Sequence, residues 1–280
     1  MGRENVDVRP GRSDISVPDL PAEVEWVGER PRPMPQLTAR GPVLVHFFDF
    51  AQLNSVRTLP YLREWHRRYS DAGLEVLGVQ APRFPFGADP DAVAAGLARL
   101  QIGFPVAVDA EHEIWFDYGC QGWPSLFLWG KGGALRWYHF GEGEYEASEE
   151  AIQEQLRAAD ALRDLPEPMQ PLRASDAPGA AVMPPTAELF PGGQEAPVQI
   201  GEADSGLELD YEAGGAYATI EGRGEVVAAV DGTEGKPVAV DGAGLYELAS
   251  HPRHEAHRLS LRARRGPLSV WSVSFAAGVP

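Results

Sequence analysis

Hydrophobic and polar positions follow two different patterns in the two halves of this chain. In the first half, dense apolar runs at 43–48 and 74–79 alternate with segments of helical periodicity at 59–69 and 89–100. Short apolar runs of this kind are typical of strands that are buried on both faces of a sheet, with helices between them. The first half therefore predicts an α/β domain.

Four further segments complete the predicted first half. Phe104–Val108 predicts a third strand. Ser125–Trp129 and Leu135–His139 flank Lys131-Gly-Gly133, and this arrangement predicts a hairpin with a glycine turn. The segment 148–156 predicts a closing helix. Residues before 41 show little periodicity, apart from an edge strand near Glu23–Val27. The strands of a hairpin pair antiparallel, whereas strands joined through helices pair parallel. The predicted sheet is therefore mixed, with helices flanking it.

The second half shows only short β-like segments after a stretch rich in proline, alanine and acidic residues. Glycine or aspartate separates most of these segments, which favours an all-β sandwich. The predicted strands lie at 207–211, 216–220, 225–230, 237–240, 244–248, 257–262 and 268–275. The predicted organisation is an irregular lead-in at 1–40, an α/β domain at 41–160, a linker at 161–187 and a β-sandwich domain at 188–280.

Composition and charge narrow the classes of partner. The 280 residues carry a formal charge of −17, so long-range repulsion disfavours nucleic acid and anionic membranes. The N-terminus is polar, and no run reaches the roughly 20 apolar residues that a membrane span needs. We therefore predict no membrane span. We expect a cytoplasmic location for the chain as written, and an extracytoplasmic one if a leader is missing.

An ordered set of motifs in the first half resembles a known family. The motifs are Arg57–Leu62, Phe104–Asp109, Trp115 with Tyr118-Gly119, Trp123-Pro124 and His139–Tyr145. The set resembles the C-terminal periplasmic part of the DipZ proteins, in the TlpA-like redoxin branch of the thioredoxin superfamily. Residues 186–280 resemble more weakly the carbohydrate-binding-module-like sandwich of that family, through Thr186, Glu188, Leu245-Tyr246 and Ser269–Phe275.

Departures from this family bear directly on function. On the family pattern, Gln52 and Ser55 occupy the positions of the two cysteines of a Cys-x-x-Cys motif, and His46 occupies that of a buried aspartate. Dithiol exchange needs one thiolate to attack and a second thiol to resolve the mixed disulfide. The resemblance thus implies a thioredoxin-like fold with a vestigial redox site, and a packed core histidine is the favoured interpretation of His46.

The resemblance also implies a loop with a cis-proline at Trp123-Pro124. Such loops pair with extended peptides through backbone hydrogen bonds. We predict a peptide or protein groove at this loop, with Phe48 and Phe50 beside it. The competing interpretation assigns several of these rings to the core.

Cys120 is the single cysteine of the chain. With one cysteine the chain cannot form an intramolecular disulfide. Cys120 is the one candidate for thiol catalysis, as a one-cysteine peroxidase or a site of mixed disulfides. A small buried side chain is the favoured interpretation, because free cysteine is among the most buried residue types. No pattern indicates a cofactor, and we predict none.

Two groups of side chains in the second half are candidate ligand sites. His251, His254 and His257 are weak candidates for metal ligands, but a proline-containing hairpin tip rarely brings three imidazoles together, so we predict no metal. The candidate rings for stacking against sugar are Tyr211, Tyr217, Tyr246 and Trp271. On period-2 alternation Trp271 shares a core face with Val273 and Phe275, which weakens this hypothesis.

Three functions therefore compete. The favoured one is a redox-inactive thioredoxin-fold protein with a role in binding or assembly. The first alternative is a redoxin-class enzyme that works through Cys120, or a thiol-cofactor transferase that uses Gln52 or Ser55. The second alternative is a carbohydrate-binding protein that acts through the sandwich.

Overall fold

The structure is a computed structural model that describes residues 15–201 and 206–280. It divides into two compact units. Unit 1 contains the described residues up to Phe48 together with Thr58–Ala81 and Gly103–Gln170, and unit 2 contains Asp49–Arg57, Pro82–Ile102 and the described residues of Pro171–Pro280. The first 14 residues of the predicted lead-in lie outside the described residues. They include the polar N-terminus from which the cellular location was predicted. The predicted domain boundaries stay predictions.

Unit 1 contains a mixed six-stranded sheet of order β1-β4-β3-β2-β5-β6. Strands β2, β3 and β4 are parallel, whereas β1, β5 and β6 pair antiparallel with their neighbours. The predicted edge strand and hairpin are therefore present. The strands are β1 (Glu25–Val27), β2 (Val43–Phe48), β3 (Glu75–Gln80), β4 (Val106–Val108), β5 (Ser125–Trp129) and β6 (Leu135–Phe140).

The helices differ from prediction mainly near the N-terminus. Met34–Arg40 forms a helix inside the predicted irregular lead-in, and Asp89 caps its predicted helix by accepting a hydrogen bond from the Asp91 amide at 3.1 Å. Among the described residues, no helix is long and apolar enough to cross a bilayer. The helices are α1 (Met34–Arg40), α2 (Leu53–Tyr69), α3 (Pro90–Arg99), α4 (Glu113–Asp117) and α5 (Tyr145–Ala159).

The core of unit 1 lies against the central strand β2. All six β2 residues are buried, as the continuous apolar run predicts. The Phe47 ring packs on the rings of Tyr118 and Phe127, with centroids 5.0 and 5.8 Å apart. The strand order, the parallel centre and the flanking helices confirm the predicted thioredoxin-like fold of the first half.

Unit 2 contains an antiparallel all-β region, which confirms the fold class predicted for the second half. Its strands are longer than predicted, because β8 and β11 each merge several of the predicted short strands. Strands β8 and β11 run in opposite directions, because the residue numbers of β8 decrease as those of β11 increase. The pairs run from Gly244 opposite Ile220 to Leu261 opposite Leu207. The strands are β7 (Val198–Ile200), β8 (Leu207–Val230), β9 (Thr233–Glu234), β10 (Val238–Asp241), β11 (Gly244–Arg265) and β12 (Leu268–Ala276).

A register irregularity in β12 changes which side chains share a face. Val270 pairs with Ile220, but the next partner, Thr219, is opposite Ser272, so Trp271 is an extra residue. Val270, Val273 and Phe275 therefore belong to the core of the all-β region, and Trp271 does not. Strict alternation placed Trp271 with Val273 and Phe275, which is wrong because a bulge shifts the period by one residue.

Part of the predicted linker is held against unit 1. The side chain of Glu149, buried in α5, accepts a hydrogen bond from the Met169 amide at 2.9 Å. The same carboxylate binds Arg68 at 2.9 Å and the Tyr69 hydroxyl at 2.5 Å. Gln153 donates to the Pro166 carbonyl at 2.8 Å. We call residues 166–169 the strap, and the buried carboxylate of Glu149 is one of its points of attachment.

Glu149→Gln tests this attachment. Glutamine keeps the shape but removes the charge that pairs with Arg68, and breaking a buried ion pair leaves a charge without compensation. We expect a loss of about 2–3 kcal/mol in the free energy of unfolding. The exposed neighbour provides the matched control, since Glu150→Gln should cost less than about 0.5 kcal/mol. Urea unfolding measures both, and equal effects would contradict this account of the strap.

Candidate functional site

Gln52 lies at the N-terminus of α2 and caps it. The helix begins at Leu53, and the side-chain Oε1 of Gln52 accepts a hydrogen bond from the Ser55 amide at 2.7 Å. The first amides of a helix have no partner within the helix and need one from elsewhere. Glutamine is outside the usual set of capping residues, but its amide oxygen here has the same role.

Ser55 and Asp49 complete a closed set of hydrogen bonds in the segment that we call the Gln52 loop, residues 49–57. The Asp49 amide donates to Ser55 Oγ at 3.2 Å, and Ser55 is fully buried. Asp49 Oδ1 accepts from the Ala51 amide and Oδ2 from the Arg83 amide, both at 2.8 Å. The loop thus pairs three of its backbone amides, those of Asp49, Ala51 and Ser55, with its own side chains.

This arrangement determines what the Gln52 loop can do chemically. Helix N-termini stabilise thiolates and other anions because free amides and the helix dipole point toward them. The Ser55 amide is occupied by Gln52, and neither an amide nor a buried hydroxyl exchanges electrons with a disulfide. Asp49 and Arg83 were not among the predicted site residues. Asp49 follows directly after a buried strand, which was the available sequence signal.

His46 is a fully buried core residue of β2, as the favoured interpretation held. Its ring stacks on Phe48 with centroids 5.4 Å apart and planes 4° apart. Burial lowers the pKa of His46 to about 3, and the nearby backbone of Ser125 opposes the shift only in part. The imidazole is therefore neutral and enclosed at neutral pH, so it is a packing residue rather than a proton carrier.

Cys120 is half-buried beside the core of unit 1. Burial raises the pKa of its thiol to about 12; a hydrogen bond with Ser125 opposes this shift and the Asp109 carboxylate adds to it. Reactive cysteines have lowered pKa values in electropositive surroundings. The environment of Cys120 has the opposite character.

The loop at Trp123 contains the cis peptide bond that the resemblance implied, between Trp123 and Pro124. Trp123 is half-buried; its ring stacks on Trp115 at 4.4 Å, and its Nε1 donates to the Ala81 carbonyl at 2.8 Å. Phe48 and Phe50 are fully buried. Of the four predicted groove residues, the two phenylalanines are core residues, and the groove itself stays a prediction.

The three histidines lie within strand β11 rather than on a hairpin tip, so the predicted location was wrong. His251 and His257 stack with centroids 4.0 Å apart, and His257 Nδ1 lies 2.7 Å from Asp231 Oδ2. His254 instead lies 3.6 Å from Glu212. No group of metal-ligating side chains able to hold a metal ion was found in the part of the chain that the structure describes.

The rings proposed for sugar stacking are largely enclosed. Tyr211, Tyr246 and Trp271 are at most 7% exposed, and half-buried Tyr217 donates to Glu247 at 3.0 Å. An open cleft of about 470 Å³ lies beside His257. Its lining residues are Thr186, Asp210, Tyr211, Glu212, Asp231, Ala256 and His257. A flat aromatic platform is not among its features.

Sequence comparison finds relatives but no matching family model. Protein DipZ of Mycobacterium tuberculosis is 26% identical over 301 aligned positions, which cover 93% of this chain and 43% of DipZ. The chain therefore spans less than half the length of that relative. The thiol-disulfide oxidoreductase YkuV of Bacillus subtilis is 30% identical over 128 residues, which cover 45% of this chain and 83% of YkuV.

Structural comparison finds similar chains at modest scores. The solution structure of a thioredoxin-like protein in its oxidised form is 26% identical, covers 51% of this chain and 95% of its own, and has a TM-score of 0.46. The crystal structure of a thioredoxin-like superfamily protein, SPOA0173, covers 54% of this chain and 99% of its own, with 23% identity and a TM-score of 0.46. The fold of unit 1 is identified from its own strand order and not from these scores.

Ser55→Ala tests the hydrogen bonds of the Gln52 loop. The substitution leaves the Asp49 amide buried without the hydroxyl that accepts from it, so we expect the free energy of unfolding to fall by about 1–3 kcal/mol. The exposed Ser70, just after α2, provides the matched control, and Ser70→Ala should change stability by less than about 0.5 kcal/mol. If the two variants lose the same amount in chemical denaturation, the hydroxyl of Ser55 has no special role.

The depressed pKa of His46 predicts a pH dependence of stability. The folded-state pKa of about 3 lies below the ordinary value of 6.5, so the unfolded chain binds the proton more readily between these values. Stability is therefore fully present above about pH 6.5 and falls with decreasing pH, by up to about 1.4 kcal/mol per pH unit for this group. Lowered pKa values of His139 and His251 act in the same direction.

Two core variants separate this titration from packing. His46→Leu should reduce the slope of the unfolding free energy between pH 7 and pH 5. Phe48→Leu removes the stacked ring without removing a titratable group, and should lower stability while keeping the wild-type slope. Thermal or urea unfolding across this pH range measures both, and an unchanged slope in His46→Leu is the contrary result.

Proposed function

This chain belongs to the thioredoxin-like family of thiol-disulfide oxidoreductases, and from this premise we propose that it is a redox-inactive member that acts in binding or assembly. The single observation that carries the proposal is the closed hydrogen bonding of the Gln52 loop. The family resemblance assigns the two cysteine positions to Gln52 and Ser55. Both side chains here stabilise the start of α2 instead of exchanging electrons.

The sulfur content supports the same conclusion. A dithiol cycle requires two thiols that meet, and the 280 residues contain one cysteine. Burial raises the pKa of Cys120 to about 12, so its thiol is protonated at neutral pH. The alternative function through Cys120 therefore lacks the thiolate that either a peroxidase or a mixed-disulfide site would use.

The other predicted activities receive less support. The burial of Tyr211, Tyr246 and Trp271 argues against a sugar-stacking surface in the all-β region. A peptide or protein partner at the Trp123-Pro124 loop stays a candidate, since Trp123 keeps part of its surface exposed. The cytoplasmic location stays a prediction.

Insulin reduction in the presence of dithiothreitol tests the absence of redox activity. We expect the wild-type chain to give the rate of the reductant alone, because no internal disulfide can form and be reduced. Cys120→Ser should give the same rate. Peroxide consumption with the same pair of proteins covers the one-cysteine mechanism.

Two further results sharpen this test. YkuV of Bacillus subtilis serves as the positive control for the assay. Turnover above background in the wild type that disappears in Cys120→Ser would contradict the proposal and favour the enzyme alternative. The double variant Gln52→Cys/Ser55→Cys asks whether the family assignment of these positions is correct, through formation of a disulfide in the folded protein.

A further inference from the structure

Thr219, in the middle of β8, satisfies a buried carbonyl of the Gln52 loop. Its hydroxyl donates to the Ala51 carbonyl at 2.8 Å, and both residues belong to unit 2. Thr219 is 0% and Ala51 1% exposed. A buried hydroxyl or carbonyl without a partner is costly, so each of these groups depends on the other.

Trp271 provides an aromatic contact beside this hydrogen bond. The bulge in β12 turns Trp271 away from the core of the all-β region, and its ring lies 5.1 Å from Phe84 and 6.0 Å from Phe86. Phe86 in turn packs on Phe50 of the Gln52 loop at 5.8 Å. Bulges commonly re-aim a single side chain, and this one aims it at the residues that support the loop.

Arg83 connects the same two regions of unit 2 by charge. Its guanidinium binds Glu188 in a two-pronged ion pair, with distances of 2.7 and 3.3 Å. Its backbone amide donates to Asp49 Oδ2 at 2.8 Å, and Ser274 donates to Glu188 at 3.0 Å. Two-pronged arginine–carboxylate pairs add directional specificity to the contact.

Arg99 and Arg57 make further contacts within unit 2. Arg99 donates to the Ala243 carbonyl at 2.8 Å and lies over the Tyr246 ring at 5.2 Å. A Cβ on Gly244 would lie 1.9 Å from the Arg99 guanidinium, so this close approach depends on glycine. The Arg57 carbonyl accepts from Arg173 at 3.0 Å. The contacts thus combine a buried hydrogen bond, an aromatic cluster and several arginine side chains.

We propose that the antiparallel β region of this chain is the internal partner of the Gln52 loop, with Thr219 as its direct contact and Trp271 acting through Phe86, so that an external protein reaches the Ala51 carbonyl only after these contacts open. The inference rests on the proposed function, since it names the partner that a loop without redox chemistry binds. The Ala51 carbonyl of this loop is bound within the same chain.

Hydrogen–deuterium exchange of the full chain tests this inference with Thr219→Val. The variant keeps the shape of the side chain but removes the donor to Ala51. The amides of Asp49, Ala51, Gln52 and Ser55 report on the loop, because each donates to a defined partner. Exchange of local amides follows the opening equilibrium, so we expect about tenfold faster exchange in peptides covering 49–57.

The controls separate a local effect from general destabilisation. Thr233→Val changes an exposed threonine on β9 and should leave exchange in 49–57 as in the wild type. Peptides from α5 of unit 1 should be unchanged in both variants. If Thr219→Val loses the fold, Trp271→Phe provides a milder substitution, and it should accelerate exchange in 49–57 and 82–88 together.

Opposite outcomes of the two tests remain distinguishable. Unchanged exchange in 49–57 in folded Thr219→Val and Trp271→Phe overturns the inference and leaves the redox-inactive function intact. Insulin reduction by the wild type overturns the proposed function without affecting the exchange result.

In a Cys120→Ser background, a Gln52→Cys reporter should also react faster with a bulky maleimide when Thr219 is valine, and equal rates count against the inference.

Discussion

The amide groups at the start of α2 impose the main physical constraint on this molecule. A helix begins with backbone donors that its own turns cannot satisfy, and in a buried position each of them needs a partner. Here Gln52 accepts from the Ser55 amide, Ser55 accepts from the Asp49 amide, and Asp49 accepts from Ala51 and Arg83. The Ser55 amide, which could help to stabilise an anion at this helix, is used to close the loop.

The contacts around the Gln52 loop follow from this closure. A loop whose amides bind its own side chains presents few free groups to other segments, and the Ala51 carbonyl is one that Thr219 reaches. Asp49 orients the Arg83 amide while the Arg83 side chain holds Glu188, so one residue belongs to both sets of interactions. Coupled hydrogen bonds of this kind in a low-dielectric interior stabilise each other.

Periodicity predicted the fold better than it predicted the site. The runs at 43–48 and 74–79 and the hairpin at 125–139 specify a mixed α/β sheet, because burial on two faces and glycine turns are encoded within a few residues. Trp271 was assigned to the wrong face because a bulge depends on pairing with a distant strand, which no local pattern records. The histidines of β11 were placed on a turn for the same reason.

The candidate site was predicted in part. Its position at the strand–helix junction followed from the resemblance, which placed Gln52 and Ser55 where two thiols would stand. Their hydrogen bonds did not follow, since glutamine is an uncommon cap and its role depends on the rotamer that it adopts. Asp49 was overlooked because an aspartate after a strand has many uses, and only its two amide partners identify the one that it has here.

The loss of sulfur and the closure of the loop are physically linked. A thiolate at a helix N-terminus depends on donors that are free to turn toward it, and such donors are unsatisfied, hence destabilising, whenever the thiolate is absent. Functional sites commonly retain this kind of local cost because activity requires it. In this chain Gln52 accepts from the Ser55 amide, so this amide is satisfied by a neutral side chain of the loop itself. One N–H group donates chiefly to one acceptor, so capping by Gln52 and binding of an anion compete for the same donor.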